Sequence, residues 1–290
     1  MSSLTLTSPA KLNLMLHITG RRADGYHLLQ TVFQFIDLYD RLHFEATTDL
    51  QIQRINSRTP VEQSEDIVIR AAKLLQQRYQ VGRGAKIAVE KQIPVGGGLG
   101  GGSSNAASCL LALNTLWNTG LSIDQLAETG LELGADVPVF VRGFAAWADG
   151  VGEQLTPINL QERHYLVLYP NIHVSTAQIF NAEELTRNCD PITIRAFQQG
   201  TGVNVCEPVA RERYVEIADA LDWLNRYAEA RMTGTGACIY APFDSQLAAE
   251  RVKSRLPEKW QGFVVQGMNS NPVHEQCRKF RNNSETVVSS

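Results

Sequence analysis

Long apolar segments, cysteine pairs and an excess of charge of one sign are all missing from this 290-residue sequence. No apolar run approaches the roughly 18 residues that a membrane-spanning helix needs, so we expect no membrane contact. The formal net charge of -3 provides no basic surface, and we expect no nucleic acid partner. What remains is an ordinary globular composition, with 43% hydrophobic and 20% charged residues.

The five cysteines are scattered, and no two of them form a Cys-x-x-Cys pair. Neither a metal cluster nor a disulfide framework is expected from this pattern, and an odd count is typical of a reducing compartment. The first twenty residues lack a basic segment followed by an unbroken apolar stretch, so no signal peptide is predicted. We therefore expect a cytoplasmic protein, and the sequence leaves open whether it is a monomer or a weak dimer.

A glycine-rich loop stands out against this ordinary background, and a helical pattern follows it directly. Backbone N–H groups in such a loop, together with a helix N-terminus, form an anion site that is typical of nucleotide polyphosphates. The loop contains the spacing of a dinucleotide fingerprint, but that motif normally opens a domain on its first strand. A P-loop requires Gly-Lys-[Ser/Thr], and here Gly102 is followed by Ser103 without a lysine. The candidate nucleotide-binding residues are Pro94, Val95, Gly96, Gly97, Gly98, Leu99, Gly100, Gly101, Gly102, Ser103 and Ser104.

A kinase with such a loop needs a cation and a base from elsewhere in the chain. Lys11 is a lone charge in an apolar alternating stretch, where a solvent-facing strand lysine is the simpler explanation. Asp136 precedes a short helix, where a plain N-cap is the simpler explanation. Tyr26 and His27 could stack on a heteroaromatic ring and hydrogen-bond its edge, or could belong to a hairpin.

Several motifs resemble those of the small-molecule kinases named after galactokinase, homoserine kinase, mevalonate kinase and phosphomevalonate kinase. The glycine loop resembles the second family motif. The segment Pro9–Leu14 is similar to the first motif, in the branch that acts on a cytidine diphosphate-linked methylerythritol. The turn Thr233–Cys238 resembles the third, which packs against the nucleotide loop. The resemblance runs from Pro9 to about Pro272.

The resemblance implies roles for individual residues. Asp136 would be the base that accepts the proton of the substrate hydroxyl, and Lys11 beside it would stabilise the ionised carboxylate. ATP would be the co-substrate, with Mg2+ carried by the nucleotide and no dedicated metal site in the protein. Independently of the resemblance, the hydroxyl of Ser103 or Ser104 could add a donor or a contact to Mg2+.

The resemblance also implies how the acceptor is recognised. Asp-Gly-Tyr-His is a signature of the branch that recognises cytosine, and it ends here at Tyr26 and His27. Asn13, Thr176 and Phe180 match further substrate contacts. Where members often carry an asparagine that contacts adenine, this chain has Asp66, which puts that contact in doubt.

The expected fold is α+β with two domains. An N-terminal α/β domain over residues 1–158 would resemble a ribosomal-protein domain, and a ferredoxin-like domain would cover residues 159–281. Residues 282–290 are predicted to be a disordered tail.

The activity that the resemblance implies is ATP-dependent phosphorylation of the acceptor's 2-hydroxyl, a step of the non-mevalonate isoprenoid pathway. The alternatives are a sibling kinase for homoserine or mevalonate, a non-catalytic nucleotide- or RNA-binding module, and a nicotinamide-cofactor enzyme.

Overall fold

A computed structural model describes residues 2–55 and 63–288 of the chain, in which strands and helices are mixed. The strands are β1 Ser3–Arg21, β2 His27–Thr47, β3 Ile52–Arg54, β4 Gly84–Glu90, β5 Ala146–Asp149, β6 Gln154–Pro157, β7 His164–Tyr169, β8 Arg231–Met232, β9 Ile239–Phe243 and β10 Gln261–Met268. The helices are α1 Ile67–Arg78, α2 Gly101–Leu116, α3 Ile123–Leu131, α4 Val137–Arg142, α5 Thr176–Phe180, α6 Ile194–Gln198, α7 Cys206–Arg213, α8 Val215–Leu224, α9 Gln246–Lys253 and α10 Val273–Val288. The predicted α+β class is confirmed.

The first half of the chain packs helices against a mainly antiparallel sheet. The long strands β1 and β2 pair with each other, and β2 also pairs with β4 and β5. Helix α2 is buried on nearly all sides between this sheet and its neighbours α1, α3 and α4, as expected for a helix without a polar face. The hydrophobic core between these layers contains Phe33, Phe44 and Phe140.

The second half builds a smaller layer in which β10, β7, β9 and β8 are neighbours in that order. The boundary predicted at residue 158 falls between β6 and β7. Strand β10 also pairs with β2 through Gly267 and Met268, so the two halves share one continuous sheet.

The C-terminal helix α10 returns to the first half of the molecule. Val273 and Cys277 are buried in the first hydrophobic core, although both fall in the predicted C-terminal domain. The helix also extends to Val288, into the segment 282–290 for which the sequence predicts a disordered tail. Residues 289 and 290 lie outside the described part. Among the described residues, no helix combines the length and the apolar character that crossing a bilayer demands.

A β-bulge in β1 determines which side chains face the site. The register with β2 shifts between Asn13 and Met15, and the extra residue reverses the alternation along the strand. Lys11 and Asn13 therefore share a face with Leu16, rather than with Met15. Bulges of this kind are common beside active sites.

Candidate active site

A cavity of about 1070 Å3 brings together the residues singled out from the sequence. Lys11, Asn13, Tyr26, His27, the loop from Pro94 to Ser103, Asp136, Thr176 and Phe180 all line it, and Ser104 alone does not. These residues come from distant parts of the chain. The cavity therefore joins candidate residues from both halves of the chain.

The floor of the cavity is the paired surface of β1 and β2. Every second residue at the start of β2 faces it, which brings in His27, Leu29, Thr31 and Phe33, as the two-residue period of a strand requires. The cavity floor is thus part of the central sheet, in which β1 pairs with β2 and β2 pairs with β4 and β5.

Lys11 is held by several partners although its side chain is only 3% exposed. Its Nζ lies 3.2 Å from Oδ2 of Asp136 and donates to the Gly98 carbonyl at 3.0 Å and to Oδ1 of Asn13. A buried ammonium is costly unless it is paired in this way. The alternative of a solvent-facing strand lysine is wrong.

Asp136 occupies the N-cap position of α4, but its side chain does not cap the helix. The carboxylate instead faces Lys11, and 35% of the side chain remains exposed. The simpler interpretation as a plain N-cap is therefore wrong. A carboxylate that is paired on one side and open to the cavity on the other can accept a proton from a bound group.

Asn13 forms side-chain hydrogen bonds to two neighbouring residues of the cavity wall. Its Oδ1 accepts from Lys11, and its Nδ2 donates to Oγ1 of Thr31 at 2.9 Å. The side chain is only 4% exposed. In this arrangement Asn13 orients Lys11, and one Nδ2–H and one Oδ1 lone pair of its amide remain for the expected substrate contact.

The glycine loop depends on backbone conformations that other residues rarely adopt. Gly98 and Gly100 have φ of 73° and 70°, in the left-handed region. A Cβ at Gly98 would lie 2.3 Å from the Thr233 carbonyl oxygen, and one at Gly100 would lie 2.9 Å from Cε of Lys11. The loop can therefore keep this path only with glycine at these positions.

The third glycine turn packs on this loop, as predicted. The Ala237 N–H donates to the Gly96 carbonyl at 3.3 Å, and the Cys238 N–H donates to the Gly97 carbonyl at 3.0 Å. Thr235 also lines the cavity. These backbone hydrogen bonds from the second half of the molecule thus hold the loop in place.

Helix α2 begins directly at the end of the loop, with Gly100 at its N-cap and no side chain capping it. Its first N–H groups have no acceptors within the helix, and they and the helix dipole form an anion site. Ser103 lines the cavity at this end. Ser104 is fully buried, and its Oγ lies 2.7 Å from Oγ of Ser8. Its hydroxyl therefore forms a hydrogen bond inside the core.

Lys91 is a second cation at this end of the cavity, and the sequence analysis missed it. Its Nζ pairs with the fully buried Asp40 and would lie 3.3 Å from a Cβ at Gly101. Asp40 also accepts from the Ile93 N–H at 2.9 Å and from Nδ2 of Asn105 at 2.8 Å. This buried carboxylate therefore fixes the segment that leads into the loop. The sequence feature that could have identified Lys91 is its position, three residues before the loop.

Asp66, the doubtful adenine contact, also lines the cavity. Its Oδ1 caps α1 by accepting from the Val68 N–H at 2.9 Å, and its Oδ2 lies 2.8 Å from Nη1 of Arg54. Both carboxylate oxygens thus have protein partners.

Aromatic side chains gather at the opposite end of the cavity. Tyr26 lies in the turn between β1 and β2 and is 65% exposed. The rings of His27 and Phe180 stack with centroids 5.2 Å apart and planes 22° from parallel. Thr176 lies in the same wall, with its Oγ1 3.0 Å from Oγ1 of Thr235. A flat ring of a ligand can stack against these side chains.

The surroundings of His27 disfavour its protonation. Burial, with the charges of Arg187 and Arg21, lowers the pKa of His27 below its usual 6.5. Nε of Arg187 lies 3.2 Å from Nε2 of His27. Arg187 is the second residue that sequence reasoning missed, because nothing local to it indicates a partner 160 positions away.

Comparisons with known proteins agree with this geometry. Residues 66–144 match the sequence model of the GHMP kinases N-terminal domain, and residues 183–262 match that of the GHMP kinases C-terminal domain. A 4-diphosphocytidyl-2-C-methyl-D-erythritol kinase from Nitrosococcus oceani is 55% identical, over 90% of this chain and 94% of its own. The enzyme of the same name from Alkalilimnicola ehrlichii is 54% identical, over 90% of each chain.

A solved structure is also similar. The crystal structure of a 4-(cytidine 5'-diphospho)-2C-methyl-D-erythritol kinase superposes with a TM-score of 0.80 at 29% identity, covering 92% of this chain and all of its own. The predicted two-domain small-molecule kinase fold is confirmed.

Proposed function

Because the chain belongs to the GHMP kinase family, we propose that it transfers the γ-phosphoryl group of ATP to the 2-hydroxyl of 4-diphosphocytidyl-2-C-methyl-D-erythritol. The products are ADP and the 2-phosphate, a step of the non-mevalonate isoprenoid pathway. Relatives at 54% and 55% identity carry this activity in their names.

The observation that carries the proposal is a single cavity with a phosphate end and an aromatic end. The glycine loop and the start of α2 lie at one end, and Tyr26, His27 and Phe180 lie at the other. Lys11 and Asp136 line the same cavity and contact each other. Mevalonate and homoserine have no ring for the aromatic end to receive. This arrangement supports an acceptor that carries a base.

The phosphate end supports binding of ATP by backbone groups and by charge. The loop N–H groups and the first turn of α2 would hold the phosphates. Lys11 and Lys91 would neutralise part of their charge, as phosphoryl transfer requires.

Asp136 is the group in this site best placed to accept the proton of the acceptor hydroxyl. The hydroxyl oxygen would form its bond to the γ-phosphorus as the bond to the β,γ-bridging oxygen breaks and ADP leaves. Lys11 would keep Asp136 oriented and offset negative charge on the transferring group. These roles need only positioning and charge from the protein.

Mg2+ fits this site as a partner of the nucleotide. No cluster of three or more histidine, cysteine or acidic side chains that could hold a metal is found in the described part of the chain. The Ser103 hydroxyl is free to contact a nucleotide-bound ion, whereas Ser104 is occupied by Ser8. The ion would supply charge neutralisation on the phosphate oxygens.

The cytoplasm is the compartment that we propose for this reaction. All five cysteines are free thiols, which is the usual state in a reducing compartment.

An acceptor panel tests the proposed function. The protein is incubated with ATP and Mg2+ and with the cytidine-linked acceptor, mevalonate or homoserine, and ADP release is measured. We expect turnover with the cytidine-linked acceptor alone and a new phosphate monoester in the 31P spectrum. Asp136→Asn, prepared in the same way, controls for contaminating kinases. Turnover of mevalonate or homoserine instead would overturn the proposal.

A further inference from the structure

Arg187 links the two walls of the aromatic end. Its Nε–H points at Nε2 of His27 at 3.2 Å, while Nη2 donates to the carbonyls of Phe180 at 2.9 Å and Ala182 at 2.6 Å. Nη1 donates to the Leu185 carbonyl at 3.0 Å. One guanidinium thus ties the segment after α5 to the start of β2. The planar fork of arginine suits this pattern, and a lysine could not reproduce it.

These contacts fix the protonation of His27. A guanidinium has only donors, so Nε2 of His27 must be the acceptor and must carry no proton. Burial and the charges of Arg187 and Arg21 also lower the pKa of His27, which disfavours a second proton on the ring. The neutral ring then carries its single proton on Nδ1.

We propose that Arg187 is a positioning residue for the acceptor: it holds His27 in the Nδ1–H tautomer and fixes the spacing between His27 and Phe180. His27 then presents a donor of fixed position to the acceptor's base, whose edge carries ring nitrogen and carbonyl acceptors. The inference rests on the proposed function, because it concerns recognition of a cytidine-linked acceptor. Arg187 itself lies behind the cavity wall and does not line it.

The stacked geometry adds a constraint on the base. The ring centroids of His27 and Phe180 are 5.2 Å apart, which leaves no room for a third ring between them, since stacked rings need about 3.5 Å on each side. The base must therefore lie against the outer face or the edge of this pair. Holding the pair together is a way to offer the base one preformed surface, which lowers the entropy cost of binding.

Steady-state kinetics separates this role from a general structural one. We expect Arg187→Met to raise the KM for the cytidine-linked acceptor about tenfold or more, as the loss of a charged hydrogen bond predicts, with the KM for ATP unchanged. Arg187→Lys keeps the charge but loses the fork, and we expect it to rescue little of the effect. Equal changes in both KM values would overturn the proposal.

Arg213→Met is the matched control. Arg213 is also an arginine on this face of the molecule, donating to the Gln178 carbonyl at 3.3 Å and pairing with Glu184 at 2.7 Å. Since it acts on α5 without a bond to His27, we expect its removal to leave the acceptor KM unchanged. An increase as large as that of Arg187→Met would show that any loosening of α5 suffices, and would overturn the role of His27.

The tautomer can be measured without any variant of Arg187. Two-bond 1H–15N spectra of the labelled enzyme distinguish protonated from unprotonated ring nitrogens, and the signal that disappears in His27→Asn identifies the residue. We expect Nδ1–H in the unmodified enzyme and a shift toward Nε2–H in Arg187→Met. An Nε2–H tautomer in the unmodified enzyme would refute the inference.

The two proposals fail separately. If the unmodified enzyme does not phosphorylate the cytidine-linked acceptor, the proposed function fails, while the His27 tautomer remains measurable on the protein alone. If it does, and Arg187→Met keeps the acceptor KM of the unmodified enzyme, only the role of Arg187 fails.

Discussion

Nζ of Lys11 lies 3.2 Å from the carboxylate of Asp136, with the lysine almost fully buried and the aspartate open to the cavity. The pair joins β1 to the start of α4. Because only the carboxylate is accessible, the two residues are expected to have different roles. The first two predictions separate them.

Asp136→Asn tests the base. The amide keeps the size of the side chain but accepts a proton poorly, so we expect kcat to fall by about 10²- to 10⁴-fold, the usual contribution of a general base. The KM for ATP should change little, as measured by ADP release. Asp124→Asn is the control, since Asp124 is 73% exposed and pairs with Arg142 near the same helix. Asp136→Asn with full kcat would contradict the assignment.

Lys11→Met tests the electrostatic partner. Methionine fills most of the space but leaves Asp136 without its cation, and we expect a loss of roughly 10²- to 10³-fold in kcat, as for other charge-stabilising groups. Nucleotide affinity should fall only modestly, because the loop backbone remains. Fluorescence titration with an ATP analogue measures the affinity. A large loss of affinity with kcat preserved would assign Lys11 to nucleotide binding alone.

The glycine loop could be predicted as an anion site from its own residues, because its signal lies within a dozen positions. Lys11 and Asp136 became candidates only through the family resemblance, since their local patterns alone favour a strand lysine and a helix N-cap. Lys91 and Arg187 could not be assigned, since their roles depend on Asp40 and His27, which are distant in sequence.

Two structural features have local signals in the sequence that the predictions did not use. Ser104 and Ser108 are one helical turn apart and share the face that packs on Ser8, a spacing that indicates a Ser104 hydroxyl directed into the core. In α10, Val273 and Cys277 are also spaced by four residues, a helical period that indicates a buried helix face before the polar residues 282–290.

Gly98→Ala tests the path of the loop. The new methyl group would lie 2.3 Å from the Thr233 carbonyl oxygen at a φ of +73°, so the loop must shift away from the third turn. We expect the KM for ATP to rise about tenfold or more, since the loss of a few backbone hydrogen bonds to phosphate costs at least that much. The acceptor KM should change less. Gly82→Ala is the matched control, because no atom lies within 4 Å of its added methyl; equal effects of the two substitutions would contradict the argument.

Ser103→Ala and Ser104→Ala should differ although the residues are adjacent. Ser104 is buried and bonded to Ser8, so its replacement should lower the free energy of unfolding by about 1–3 kcal/mol through unsatisfied hydroxyls, with catalysis nearly intact. Ser103 lines the cavity, so its replacement should reduce kcat while stability changes by less than about 0.5 kcal/mol. Urea unfolding and ADP release measure the two effects. The reverse pattern would assign the phosphate contact to Ser104.

The acceptor KM should depend on pH through His27. Burial, Arg187 and Arg21 lower the pKa of His27 below 6.5, so the imidazole is mainly neutral at that pH, is neutral well above it, and gains its second proton in more acidic solution. Protonation would place an N–H on Nε2, facing Arg187, and would break their hydrogen bond. The stabilisation is therefore complete above pH 6.5 and is lost as the pH falls through the lowered pKa. We expect the acceptor KM to be constant from pH 8 to 6.5 and to rise below it. The KM for ATP at each pH is the internal control, and an acceptor KM that already rises between pH 8 and 7 would contradict a neutral His27.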